Sequence, residues 1–337
     1  MATSEEGEVS PKLYVATMGH IYPRCEDGKF YPAGMPDRER LKYYASKFNS
    51  ILIKTTFFGQ PKKETYQNWL QSVSDNPIFK FILSAPKAMS HAKNISELKK
   101  AWTFFWDGDD SRGGCNILVN KIGCILIEFP SSFYYSLKNI NRLKTIMSIV
   151  PKDVRCAVEF RHFSWWENTR HLKLLFDIHP SWCIATPYVE NGLVDYGWAG
   201  NLPSTRTIKN KEPIPDLITT KFTLFTFHGT MGRNIGSYDD HCFLERLVSK
   251  IKKYQADGIN TIYCSFNNTE SSYCYPLPGL LIMGFPLRPK IKELPLYADA
   301  DLPCCLHDAR RLERLWNEIT ECPYETNTEG NIEMTFS

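Results

Sequence analysis

The sequence predicts an α/β fold, a single (β/α)8 TIM barrel with a short C-terminal extension. Three observations predict it. Short apolar, β-branched runs alternate with amphipathic ones, the pattern of a parallel sheet with crossover helices. Eight such runs fall within about 270 residues, the usual size of a closed (β/α)8 barrel. Polar side chains then gather at the C-terminal ends of those runs, where the βα loops of a barrel converge. An open doubly wound sheet is the runner-up, but no G-x-G-x-x-G follows the first strand.

In chain order the strands are expected at Leu13–Met18, Ser50–Lys54, Phe79–Ser84, Ile122–Phe129, Val154–Phe160, Trp182–Thr186, Phe222–His228 and Thr261–Phe266. Helical periodicity is clearest in Asp37–Phe48, Lys63–Ser72, Ile95–Trp106, Leu137–Ile149, Asn168–Phe176 and Asp239–Gln255. The weak unit lies between the sixth and seventh strands, where Asn191–Asp216 is rich in Gly, Pro and Asn and reads as a long loop. Asp107–Asn116 (DGDDSRGGCN) reads as a polar surface insert. The expected organisation is an N-terminal tail over 1–12, the barrel over 13–286, and an extension over 287–337. That extension holds one short helix near Asp308–Ile319 and a polar end.

Bulk properties exclude several classes. The 337 residues are 43% hydrophobic and 23% charged, an ordinary globular balance. A net charge of +3 advertises neither nucleic acid nor membrane. The opening MATSEEGEVS is acidic and lacks an apolar stretch, so no signal peptide is expected, and no run is long enough to span a bilayer. The eleven cysteines are scattered, several inside strand-like runs, which reads as reduced, core-packing cysteine in a cytoplasmic protein. The N-x-[ST] matches at Asn94 and Asn267 are then chance. No nucleophile elbow, P-loop or C-x-x-C knuckle is present.

The stretch VRCAVEFRHFSWW, Val154 to Trp166, carries most of the chemistry. Alternation along a strand puts Glu159 and Arg161 on one face and Val158 and Phe160 on the other. A carboxylate and a guanidinium are rare in a strand interior unless they pair or face a polar cavity. Other strand ends contribute His20, Lys54, His91, Glu128, His228, Gly229, Asn267 and Asn268, with His162 following the fifth. Glu128 and Glu159, on adjacent strands, can form an acid–base pair, or be neutralised by Arg161 and Lys54. The four histidines lack any short ligand spacing, so no metal and no cofactor is expected. Lys62-Lys63, Lys99-Lys100 and Lys250–Lys253 read as solvated helix faces.

The segments FYPAGM, YYASKFNSILIKTTFFGQP, FKFILSAPKAMSH, LIEFPSSF, AVEFRHFSWW, FTFHG and CSFNNT, in that order, resemble the YecE-like family, domain-of-unknown-function family seventy-two. The resemblance covers roughly residues 13–285 and implies a TIM barrel with a polar pocket at the strand ends and no assigned reaction. It also implies departures. Leu52 stands where the family usually has a glutamate, Lys54 for an asparagine, Ser84 for a lysine and Thr226 for an arginine. His20 stands for an aromatic and Glu128 for a glutamine. The expected role is binding or processing of a polar, anionic, sugar-phosphate-like molecule. Glu159 would serve as base or acid with Glu128, Arg161 as anion clamp, His228 and His91 as proton relays, and Asn267 and Asn268 as hydroxyl readers. His20, Lys54, His162 and Gly229 would complete the binding surface. The alternatives are a nucleic-acid-binding or endonuclease-like barrel and a catalytically degenerate scaffold. Neither oligomeric state nor protein partner is legible.

Overall fold

The computed structural model describes residues 12–21, 30–92, 94–188, 217–229, 238, 243–267 and 304–321. Its strands are β1 (Lys12–Thr17), β2 (Ser50–Ile53), β3 (Lys80–Ser84), β4 (Ile122–Phe129), β5 (Cys156–Phe160), β6 (Trp182–Ile184), β7 (Thr186–Tyr188), β8 (Phe222–Phe227) and β9 (Thr261–Phe266). The helices are α1 (Asp37–Ala45), α2 (Thr55–Phe58), α3 (Lys63–Ser72), α4 (Lys87–His91), α5 (Ile95–Asp107), α6 (Leu137–Ile149), α7 (Thr169–Asp177), α8 (Phe243–Ala256) and α9 (Cys304–Glu321). Short 3-10 turns at Cys115–Lys121 and Phe163–Asn168 complete the described elements. The expected loop Asn191–Asp216 lies outside the described residues.

Every strand pairing is parallel. The strands form two sheets, β2-β3-β4-β5-β6 and β1-β9-β8-β7, where the sequence leads to one closed barrel. The division has two local causes. The expected sixth strand is cut at Ala185, so β6 pairs with β5 while β7 pairs with β8. At the other seam β1 and β2 meet through a bridge of Met18 with Leu52, where Gly19 N–H donates to the Leu52 carbonyl at 2.8 Å.

Both faces of the strands are buried, as parallel sheets require, which explains their near-continuous Val, Ile, Leu and Phe content. The period-2 alternation sorts these residues into two cores. One face (Val15, Ile51, Phe81, Ile127, Val158, Phe225) packs against Leu98 of α5, Leu143 of α6, Leu172 of α7 and Leu247 of α8. The other gathers Tyr14, Ala16, Leu52, Ile82, Leu126, Ala157, Leu224 and Tyr263, drawn from both sheets, into a single inner cluster. Each such buried aliphatic contributes roughly 1.5–3 kcal/mol. Side-chain caps set the starts of α5 and α6. Asn94 accepts from Glu97 N–H at 2.9 Å ahead of α5, and Ser136 accepts from Asn139 N–H at 3.3 Å ahead of α6.

Two segments expected to stand apart are tied to this core. In the Asp107–Asn116 insert, Gly113 N–H donates to the Pro61 carbonyl at 3.2 Å and Gln60 Nε2 donates to the Gly113 carbonyl at 2.5 Å, joining the insert to the segment ahead of α3. Helix α9, placed by the sequence in an extension outside the barrel, packs against β1, β9 and α8. Cys305, Leu306, Ala309 and Leu312 recur at helical spacing and are all fully buried, so the correction follows from an apolar stripe.

Candidate functional site

On the inner face, the apolar cluster gives way to charge at the strand C-termini. Glu128 continues the face of Cys124 and Leu126, and Glu159 that of Ala157. The two glutamates are register partners across β4 and β5. Two carboxylates directly opposite one another repel, the more so out of water, and Glu159 is only 1% exposed. Arg161 resolves the conflict. Its Nε donates to Glu159 Oε1 at 2.9 Å and its Nη2 to Glu128 Oε1. Lys54 donates to the other Glu128 oxygen, which also receives Ser84 Oγ at 3.4 Å.

The far side of the Glu159 carboxyl is closed as well: Oε2 accepts from Thr226 Oγ1 at 2.9 Å and from His228 Nε2 at 3.2 Å. Asn267 Nδ2 lies 2.8 Å from His228 Nδ1, so both ring nitrogens are engaged. Burial opposes ionisation of Glu159, but the charges and hydrogen bonds of His228 and Arg161 outweigh it and hold the carboxyl well below its ordinary range. Burial, reinforced by Arg161, draws Lys54 down to about 7 against the pull of Glu159. The Glu128 carboxylate that Lys54 touches favours its charged form, so the two influences oppose each other at this nitrogen. The result is a continuous chain, Lys54–Glu128–Arg161–Glu159–His228–Asn267, drawn from five strand ends.

Lys54 also lines a cleft of about 990 Å³ between α1 and α3, with His20, Arg38, Lys42 and Trp69 on its described walls. Burial, together with nearby Arg40, lowers His20 to about 4, so its ring is neutral at neutral pH. The remaining expected residues sit elsewhere. The His91 ring, at the end of α4, bonds Ser90 Oγ at 2.9 Å and the Lys87 carbonyl at 3.1 Å, apart from the network. His162 caps the 3-10 turn Phe163–Asn168, its Nδ1 accepting from Ser164 N–H at 3.2 Å. Gly229, at φ +92°, turns its N–H to Tyr238 Oη at 2.9 Å, a backbone shape that favours glycine. Asn268 lies outside the described residues.

Sequence reasoning named Ser84 and Thr226 only as departures, with no role, although they hold the two carboxylates, and left out Ser265, whose buried hydroxyl has no partner among the described residues. The signal was available. All three share the strand parity of the inner cluster, Ser84 with Ile82, Thr226 with Leu224 and Ser265 with Tyr263. Among the described residues no group of three or more His, Cys, Asp or Glu converges to hold a metal, and no helix is long and apolar enough to cross a membrane.

Residues 14–275 match the family model described as "Protein of unknown function DUF72". The chain belongs to the DUF72 family. The whole network, from Lys54 to Asn267, lies within the matched residues. A DUF72 family protein from Thermotoga maritima MSB8 superposes with a TM-score of 0.61 at 19% identity, over 90% of this chain and 99% of that one. One from Enterococcus faecalis V583 gives 0.59 at 15% identity, over 94% and 100%. At these identities the likeness is one of α/β fold. The UPF0759 protein YunF of Bacillus subtilis (strain 168) is 23% identical over 137 residues, 40% of this chain, and the match spans about half, 47%, of that relative's length.

Of the six departures that the sequence resemblance implies, four meet in the structure, while Leu52 joins the apolar inner cluster and His20 the cleft wall. Lys54, Ser84, Glu128 and Thr226 all enter one hydrogen-bonded network around Arg161. A cation placed on β2's end and a carboxylate on β4's end meet each other.

Proposed function

We propose that the two sheets close through the Ala185 and Met18–Leu52 seams into one (β/α)8 barrel, and that its C-terminal mouth binds a small polar anion of the sugar-phosphate kind. The observation that carries the binding reading is Lys54, whose ammonium belongs both to the buried ion-pair chain and to the wall of the 990 Å³ cleft. Three N–H donors on the ammonium and five on the Arg161 guanidinium exceed what Glu128 and Glu159 consume, so both cations retain donors for a ligand. The buried Asn267 Oδ1, without a partner among the described residues, supplies an acceptor for a hydroxyl. Glu159, Thr226 and Ser84 act as the frame that aims these groups.

A second reading has support of its own. Every oxygen of Glu128 and Glu159 already accepts a hydrogen bond, and both His228 nitrogens are engaged. A carboxylate in that state is a poor proton acceptor. The site then binds without turning its ligand over. A thermal-shift screen of phosphosugars and sugar acids tests the first reading, because a ligand specific to the folded state raises Tm. The stabilising compound should lose its effect on Lys54→Gln and Arg161→Lys, and bind more weakly as pH rises through about 7, where Lys54 gives up its proton. A shift indifferent to both substitutions would place the ligand elsewhere. Conversion of that compound by the wild-type protein, lost in Glu159→Gln, would count against the binding-only reading.

A further inference from the structure

At the opposite end of the strands lies a second cavity, of about 400 Å³. Lys12 and Tyr14 at the start of β1, Lys80 at the start of β3, Arg155 just ahead of β5, and Tyr263 of β9 form its walls. Three of these side chains are cationic, and Asp153 is the one acid among the described lining residues. The cations crowd one another. Burial, then the charges of Lys121, Arg155 and Lys12, pull Lys80 below its ordinary value. Backbone carbonyls hold Lys80 and its neighbour Lys121, which stands outside the lining. Lys80 Nζ donates to Asn120 O at 2.9 Å, and Lys121 Nζ to Asn76 O at 2.8 Å and Pro77 O at 3.0 Å. A carbonyl oxygen takes one of the three N–H donors of Lys80 and cancels none of its charge, so a concave positive field remains with donors to spare.

The floor of this cavity is rigid and aromatic. Tyr14 and Tyr263 stack with centroids 4.9 Å apart, and the Arg155 guanidinium lies over Phe222, 5.4 Å from its centroid. Arg155 also hydrogen-bonds Tyr263, fixing its planar fork in place. Only glycine fits beside that ring: a Cβ on Gly123 would stand 2.7 Å from Tyr263 Oη. A guanidinium seated on aromatics between two lysines loses little freedom on meeting an oxyanion.

We propose that this pocket is a second binding site, specific for a multivalent oxyanion of the phosphate or polyphosphate class, with Arg155, Lys12 and Lys80 as its donors. The compact, concave shape suits a small ligand more than a nucleic-acid backbone, which requires an extended stripe of charge. It lies at the other end of the strands from the mouth and is independent of that site's role. In the sequence the pocket is preceded by Glu5, Glu6 and Glu8, which makes the chain's own carboxylates the competing occupant to test.

The experiment is calorimetric titration of the full chain with inorganic pyrophosphate, at constant ionic strength set by chloride. It is run on wild type, Lys12→Gln, Arg155→Gln, Lys54→Gln and the triple variant Glu5→Gln, Glu6→Gln, Glu8→Gln. One binding event should survive Lys54→Gln and weaken about tenfold or more in Lys12→Gln and Arg155→Gln, the loss of one charge-assisted contact. Lys12 is exposed, so its substitution keeps the test intact should Arg155→Gln fail to fold. A pyrophosphate signal abolished by Lys54→Gln, or untouched by Lys12→Gln, overturns the proposal. Binding that appears only in the triple glutamine variant also overturns it, since the pocket would then be the acidic segment's own.

Discussion

Arg161 is the residue on which the site depends. From the sequence it either clamps an anion or neutralises the glutamates. In the structure Arg161 sits between two buried carboxylates that are register partners. Removing it leaves Glu128 to Lys54 and Glu159 to His228, with the repulsion between them unrelieved. Arg161→Ala should therefore cost about 3–5 kcal/mol, the usual penalty for orphaning a buried ion-pair partner. Urea denaturation measures it. A loss under about 1 kcal/mol, typical of an exposed pair, would show the pair to be solvated and energetically idle. Glu159 supplies a second residue-scale prediction. Its folded-state value lies well below its ordinary 4.5, so between those values the native state binds fewer protons than the unfolded chain. Its ionisation thus stabilises the fold above about pH 4.5 and stops doing so as pH falls through the folded value. The stability gap between wild type and Glu159→Gln should be widest near neutrality and close on acidification. A gap that does not change between pH 7 and pH 3 contradicts the assignment of charge to this carboxyl.

At the scale of elements, the sequence was most legible where periodicity and chemistry agree. Strands β3, β4 and β9 and helices α3 and α6 lie where apolar alternation or helical spacing puts them, because burial on both faces leaves a strand no alternative composition. Less legible was the sixth strand, since a break at Ala185 is set by which neighbour each half pairs with, and pairing is not written in local pattern. The histidines show the same limit. His91, His162 and His228 all follow strands, yet only His228 reaches the network, while His162 closes a helical turn and His91 bonds within α4. The loop leaving β5 is where element and site join. Trp165 stacks on Phe160 at 4.3 Å and donates its indole N–H to the Phe133 carbonyl at 2.6 Å, locking the β4 and β5 loops together. Trp165→Ala should cost about 3–5 kcal/mol through the cavity it opens. It should also broaden the amide resonances of Phe133 and Arg161. A mutant as stable as wild type would mean that the two loops are held by something other than this ring.

At the scale of the whole molecule, the question is where the fold ends. Composition pointed to a tail after β9, because the polar stretches around α9 dominate its average. The stripe Cys305, Leu306, Ala309 and Leu312 is what composition hides, and the structure seats it on β1, β9 and α8. Two polar links accompany it, Arg311 to Glu245 of α8 at 3.1 Å and the Asp308 carboxylate receiving Tyr238 N–H at 2.9 Å. Tyr238 in turn holds Gly229 at the end of β8, so α9 connects to the strand end that carries His228. A helix placed this way covers the seam at which the first and last strands pair, which would otherwise expose the outer face of both. Its loss should therefore weaken the sheet as a whole. Leu306→Ala and Leu312→Ala should each cost about 2–5 kcal/mol, as for a fully buried leucine. Because β1 and β9 pair along their whole length and α9 packs on both, the whole transition should move, with far-UV and near-UV signals shifting to the same lower denaturant midpoint. An early, separate helical transition with the main midpoint unchanged would instead make α9 an appendage docked on a fold already complete without it.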